Sequence, residues 1–199
     1  MPAEVAMHTL HTTPAFVINS YQRGESDRVF RMYTRDLGLV YAHARGVREM
    51  RNRNRYALAT GTCADVTLVR GKEAWRITSV RSGALVPTSP REVRSRIRKI
   101  LSLLTGLTAR DDPDHGLFAL VQGAERAFTE QAHHRDAIEM LTVLRLLHAM
   151  GYIDAGSLDP TVAPLVKTSS LHPDMFKTVE EARLHIVERI HGVLHSAST

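Results

Sequence analysis

The chain has 199 residues, of which 43% are hydrophobic and 24% charged, ordinary globular values that exclude wholesale disorder. Lys and Arg number 26 against 21 acidic residues, a net charge of +5, and no run approaches the ~18 apolar residues needed to span a bilayer. Cys63 is the single cysteine, which excludes an intramolecular disulfide and every multi-cysteine metal site. With no signal-peptide pattern at the N-terminus, the expectation is a soluble cytoplasmic protein.

The first half reads as short strands. Ala15-Phe-Val-Ile18 is a compact apolar run that ends at Arg23-Gly24, and Arg28 to Thr34 mixes aromatic, β-branched and charged residues before the turn Asp36-Leu-Gly38. Leu39 to Ala44 follows. Ala64, Val66 and Leu68 alternate with Asp65 and Thr67 up to the turn Arg70-Gly71-Lys72, after which Trp75 and Ile77 oppose Arg76 and Thr78. This period of two predicts five strands in about 70 residues, and a small antiparallel barrel is expected because closure removes exposed edges.

From Ser89 the period becomes helical. Ser89-Pro90-Arg91-Glu92 supplies an N-cap, a proline at N1 and a glutamate at N3, and Val93, Ile97, Ile100, Leu101 and Leu104 form one apolar stripe ending near Gly106. Asp111-Asp-Pro113-Asp114 opens a second helix with Leu117, Leu120, Val121, Ala124 and Phe128 facing inward. A third runs from about Asp136 through Ile138, Leu141, Leu144 and Leu147 to Gly151. Residues 152–177 read as an irregular connection. Thr178-Val-Glu-Glu181 reads as a capping box for a last helix whose stripe is Val179, Ala182, Ile186, Ile190 and Val193. Single apolar stripes must bury against one another, so this half is expected to be a helical bundle. The fold class is α+β, with a barrel at 1–86 followed by helices at 87–199.

Charge follows the same division. Residues 1–86 hold 13 basic and 7 acidic residues, a net of +6, while 87–199 hold 13 basic and 14 acidic residues, a net of −1. The stretch from His43 to Arg55 contains five arginines, Arg45, Arg48, Arg51, Arg53 and Arg55, and one acid, Glu49. Arginine forks grip phosphate oxygens and stack on bases, so this run is a candidate nucleic-acid contact, its bland alternative being a solvated basic loop. A second cluster, Arg91, Arg94, Arg96, Arg98 and Lys99, opens the helical half. On the barrel, Phe30, Tyr33, Tyr41, Tyr56 and Trp75 lie among Arg28, Arg31, Arg35, Arg45 and Arg76, the mix with which open barrels hold single strands. Trp75 and Phe30 are expected in the core. Tyr33, Tyr41 and Tyr56 are the candidate exposed platforms.

No catalytic signature is present: no phosphate-binding glycine loop, no HExxH and no GxSxG. His191 and His195 share a helix face without a third ligand, and Asp111 to His115 lacks the spacing of a calcium loop and reads as capping. His133-His134 reads as a solvated loop and Cys63 as a core residue. No cofactor and no metal are expected, and no enzyme activity.

Several motifs resemble a known family. Ala15-Phe-Val-Ile18, Gly24-Glu25-Ser26-Asp27, Tyr33-Thr34-Arg35-Asp36-Leu-Gly38 and Ala44-Arg45-Gly46-Val47-Arg48 occur in an order and spacing similar to the N-terminal domain of the RecO recombination mediators. Glu139 to Tyr152, with its Met-Gly-Tyr ending, resembles that family's helix ending in Leu-Gly-Tyr, and Val179 to Leu194 has a counterpart there. The four cysteines of the zinc module that many members carry after Gly-Tyr are missing, so no zinc is expected. Asn52 or Asn54 stands where the basic loop usually has Ser, and Ala57-Leu58-Ala59 lacks the usual proline.

The resemblance implies an OB-fold followed by a helical domain, and a non-enzymatic role in DNA repair and recombination. It implies binding of single- and double-stranded DNA, annealing of complementary strands, and docking of the acidic C-terminal tail of single-stranded DNA-binding protein. It also implies joint action with RecR in loading RecA. On that reading Arg45, Arg48, Arg51, Arg53 and Arg55 bind phosphate, helped by Arg28, Arg31 and Arg35. Gly46 allows close backbone approach, Tyr41 and Tyr56 stack, and Arg145, Arg183 and Arg189 rim a groove for a protein partner. The competing expectation is an OB-type adaptor that binds only protein, its basic loop meeting an acidic partner.

Overall fold

In a computed structural model, residues 9–23, 27–44, 57–71, 74–82, 90–108 and 112–196 are described. Among the described residues five strands, β1 (Leu10–Arg23), β2 (Asp27–Thr34), β3 (Gly38–Ala44), β4 (Cys63–Arg70) and β5 (Trp75–Ser82), are followed by six helices. These are α1 (Arg91–Leu107), α2 (His115–Glu130), α3 (Arg135–Ala149), α4 (Ala163–Val166), α5 (Pro173–Glu181) and α6 (Arg183–Ser196). The chain divides into two compact units. One comprises 1–94 and 105–114, the other 95–104 and 115–199, so the middle of α1 belongs with the helices and its two ends with the strands.

The strands close into a barrel in the order β1-β2-β3-β5-β4, the OB arrangement. One long strand makes closure feasible. The first half of β1 pairs with β4 (Leu10↔Val69 to Phe16↔Cys63) and its second half with β2 (Ala15↔Thr34 to Arg23↔Asp27). A register shift between Val17 and Asn19 bends the strand where it changes partner. The last gap is bridged by two parallel pairs, Ala42↔Trp75 and His43↔Arg76. The interior holds Phe30, Met32, Val66, Leu68, Trp75 and Ile77 with small residues at Ala15, Ala42, Ala44 and Ala64, the mixture of sizes that a narrow barrel requires. Ala57 and Leu58 are buried against this core, and Thr62 Oγ1 donates to the carbonyls of Ala57 and Ala59 at 2.8 and 2.6 Å.

The β2–β3 turn explains its own spelling. Thr34 Oγ1 donates to Gly38 O at 2.9 Å and accepts from Leu37 N at 3.0 Å, and Asp36 N donates to Thr13 Oγ1 at 3.2 Å. Gly38 has φ +64, and a Cβ there would lie 2.7 Å from the backbone of Asp112. The position therefore needs glycine for both backbone conformation and space.

In the second unit α3 is the central helix, packing against α2, α4, α5 and α6. The stripe read for α1 is buried as expected, from Val93 to Leu104. In α2, however, Leu120 is half-exposed and Phe118 is buried. The segment expected to be irregular, 152–177, contains a 3-10 turn at Ala155–Ser157, α4 and the start of α5. The last helix is two helices. Pro173, following an extended His172, opens α5, so Thr178 lies inside it and its carbonyl accepts the amide of Ala182, where α5 ends. Of the stripe read for α6, Ile186 is buried while Ile190 and Val193 are half-buried. Cys63 is half-buried. Among the described residues no helix is long and apolar enough to cross a membrane.

Candidate nucleic-acid interface

Strand direction sorts the arginines of the barrel. β2 starts, β3 ends, β5 starts and β4 ends at one pole, and β1 turns back into β2 there. This pole carries Arg23 from β1, Arg28 from β2, His43 from β3, Arg70 from β4 and Arg76 from β5; the four arginines are exposed and His43 is half-buried. Arg23 Nη1 lies 3.3 Å from His43 Nε2, and His43 sits beside Arg76 in the β3–β5 register. Arg70 lies over the Trp75 ring, 5.0 Å from its centroid, and the His11 ring meets the same indole edge-on at 5.4 Å. The indole is thus a core side chain, as expected, with one face anchoring a surface cation. Asp27, opposite Arg23 in the β1–β2 register, is an acidic residue among the described residues of this rim.

Outward-facing residues on β1, β2 and β3 extend the same surface. Tyr21↔Val29, Val29↔His43 and His43↔Arg76 are successive register pairs, so these four residues lie in one row on the face turned away from the barrel core. Val29 is buried within it, whereas Tyr21 is 52% exposed. Further along β2 the face is covered by the unit's own chain. Arg31 Nη2 donates to Thr105 Oγ1 at 3.1 Å, and Gly38 lies against Asp112. Burial, with a smaller contribution from Asp114 and Asp112, pushes the Tyr33 hydroxyl up to about 12.

These placements change several expectations. Tyr33, read as an exposed stacking platform, is 1% exposed, because its position on β2 faces the covered part of the sheet. Arg31 is half-buried and bound to Thr105. Arg35 lies in the β2–β3 turn, a strand length of ~20 Å from Arg28, where its guanidinium holds Asp36 at 2.9 and 3.2 Å. Tyr41 is half-buried opposite Arg31. Arg28 alone of the predicted arginines on β2 stands at the pole. Arg45, Gly46, Arg48, Arg51, Arg53, Arg55 and Tyr56 lie outside the described residues; the run they belong to starts one residue beyond Ala44, the last residue of β3 at this pole.

Three of the pole's residues, Arg23, His43 and Arg70, and the exposed Tyr21, were not singled out from the sequence. Their signal is weak: Tyr21-Gln-Arg23 continues the alternation of β1 past its apolar run, and Arg70 merely flanks a turn.

In the helical unit Arg145 is not a rim residue. It is 2% exposed; its Nε donates to Leu165 O at 2.9 Å and its Nη2 to Ser170 O at 2.8 Å. Burial lowers its pKa to about 10, still far above neutral. Arg189 is half-buried and donates to Ser157 Oγ at 2.5 Å, while Arg183 is exposed. His134 is not simply solvated: its Nδ1 lies 3.3 Å from Glu180 and its ring 5.1 Å from that of Phe176. Among the described residues no group of three or more His, Cys, Asp or Glu is placed to hold a metal ion.

Comparison with known proteins agrees with the barrel. Residues 7–86 match the family model described as Recombination protein O N terminal. The DNA repair protein RecO of Rubrobacter xylanophilus is 32% identical over 152 residues, 72% of this chain and 58% of the relative. The chain belongs to the RecO family. The protein of the same name from Thermobifida fusca is 28% identical over 74% of this chain, and that from Delftia acidovorans 29% over 77%, each match covering 62% of the relative. The chain thus spans about three fifths of the length of the RecO relatives it matches. Within the RecO family the resemblance holds across the OB barrel and into the helices.

Proposed function

We propose that this RecO-family chain binds single- and double-stranded DNA through the basic pole of its barrel and anneals complementary strands. With RecR it helps load RecA onto DNA coated by single-stranded DNA-binding protein. The observation that carries this reading is the convergence of Arg23, Arg28, Arg70 and Arg76 from four strands around the point where the arginine-rich run begins. Cations from several strands at one rim neutralise neighbouring phosphates and exchange condensed counterions for protein contacts. Arg45, Arg48, Arg51, Arg53 and Arg55, which follow Ala44 in the sequence, are proposed as further phosphate contacts, with Gly46 among them.

Annealing follows from electrostatics. Two strands repel through their phosphates, and a protein that screens both backbones while leaving base edges accessible lowers the cost of bringing them together. No nucleotide hydrolysis is required, in keeping with the absent phosphate loop. The near-neutral helical half is the docking half for proteins, with Arg183 and Arg189 as its candidate contacts to an acidic tail. RecR and the acidic tail of single-stranded DNA-binding protein are the proposed partners, and the protein works in the cytoplasm.

Anisotropy of a labelled single strand, titrated at several salt concentrations, tests the reading. Binding that weakens with salt, followed by faster annealing when the complement is added, is the expected result. Replacing Arg23, Arg70 and Arg76 together by Ala should reduce the slope of log affinity against log salt by about 2, at roughly 0.7 for each phosphate left without its arginine. Absence of binding at low salt would overturn the proposal and favour the protein-only adaptor.

A further inference from the structure

We propose that Tyr21 is the base-stacking residue of this barrel and makes the difference between single- and double-stranded DNA, an inference that rests on the DNA-binding reading above. Tyr21 is one of four large hydrophobic side chains left exposed among the described residues, with Leu10, Tyr152 and Leu184; Leu10, opposite Val69, also lies near this pole, but Tyr21 is the aromatic one set among its cations. It lies on the outer face of β1, two residues before Arg23, and heads the row that runs through Val29 and His43 to Arg76. Three interstrand spacings make that row ~14 Å long. An aromatic surface therefore stands at one end and an exposed guanidinium at the other, with the Arg23–His43 pair alongside.

The chemistry suits an unpaired nucleobase. Aromatic rings stack on any base, and flanking cations track the backbone, which gives single-strand binding without sequence preference. A base inside a duplex has both faces covered by its neighbours, so the phenol ring has nothing to stack on and duplex binding falls to the arginines alone. Among the described residues the other tyrosine, phenylalanine and tryptophan side chains of the barrel are unsuited to the role: Tyr33, Phe16 and Phe30 are buried, Trp75 faces the core, and Tyr41 is half-buried opposite Arg31. At this pole the arginines account for strength and salt dependence and Tyr21 accounts for strand preference.

The test uses the full chain with three labelled probes: an oligodeoxythymidine, the same backbone with abasic sites, and a duplex. Tyr21→Ala is expected to weaken binding to oligodeoxythymidine about five- to tenfold, the low end of the stacking range for one base. Duplex and abasic binding should stay within about twofold of the parent, and Tyr21→Phe should restore the parent's preference. Since Tyr21 is half-exposed and outside the core, a matched thermal melt of the Ala variant is expected. A parent protein that binds none of the probes overturns the DNA-binding reading itself. A parent that binds all three, with Tyr21→Ala weakening them equally or none of them, leaves DNA binding standing and removes Tyr21 from the role.

Discussion

Arg76 and Arg145 are the same residue type put to opposite uses. At the barrel pole, Arg76 stands exposed beside His43, with Arg23, Arg28 and Arg70 on neighbouring strands. In the helical unit, Arg145 is enclosed and donates to two backbone carbonyls, that of Leu165 in α4 and that of Ser170 in the α4–α5 connection. Arg96 lies between these extremes, half-buried on α1 with Asp136 at 2.9 Å and Glu139 beside it. Burial alone would lower its pKa, but the two carboxylates more than offset this and raise it. Arginine-rich composition therefore carries two unrelated meanings in one chain: an exposed basic rim in the first unit and internal fastening in the second.

The sharpest way to break the comparison is to remove the fastening. Arg145→Met should destabilise the helical unit by about 3 kcal/mol, because two buried carbonyls lose their donors, and Arg145→Lys should recover only part of it. Urea denaturation followed by circular dichroism reads this, and a loss under ~1 kcal/mol would make Arg145 dispensable.

Next in size is the high-pH limb of stability. Burial holds the Tyr33 pKa at about 12, above its ordinary 10, so its contribution is complete below pH 10 and is lost as pH rises through 12. The parent should lose about 2 kcal/mol over that window relative to Tyr33→Phe. Parallel pH curves for the two proteins would contradict the burial of the hydroxyl. Arg96→Ala should cost about 1 kcal/mol, as the pair is only half-buried and partly screened. Smallest of all, Arg23, Arg70 and Arg76 changed together to Ala should alter stability by under ~0.5 kcal/mol each while reducing salt-dependent DNA binding. A large drop in the thermal midpoint of that variant would mean the pole is structural after all.

Much of the architecture was legible because it is periodic. Alternation marked the strands at Arg28–Thr34, Leu39–Ala44 and Ala64–Leu68, and the stripe from Val93 to Leu104 marked α1 down to individual residues. Thr34-x-x-x-Gly38 was readable as a motif, and the hydroxyl bridging Leu37 and Gly38 supplies its reason. The ends of elements were less legible. The break at Ala182 was missed because Thr178-x-x-Glu181 imitates a cap, whereas Pro173 had already begun the helix.

What the sequence by itself determined is the five strands, the first three helices, the change from barrel to helices and the excess of positive charge in the first part, since each is a local property of spacing or composition. Which arginines meet was decided by tertiary structure alone. Residues 23, 43, 70 and 76 are far apart in the chain and adjacent only because a bent β1, an antiparallel meander and a two-pair parallel bridge bring five strand ends to one rim. Burial was decided in the same way: Tyr21 and Tyr33 are both outward-facing aromatics of the barrel. One meets solvent and the other the region of Asp112 and Asp114, because exposure depends on which distant segment lies across a strand, and that information is not local.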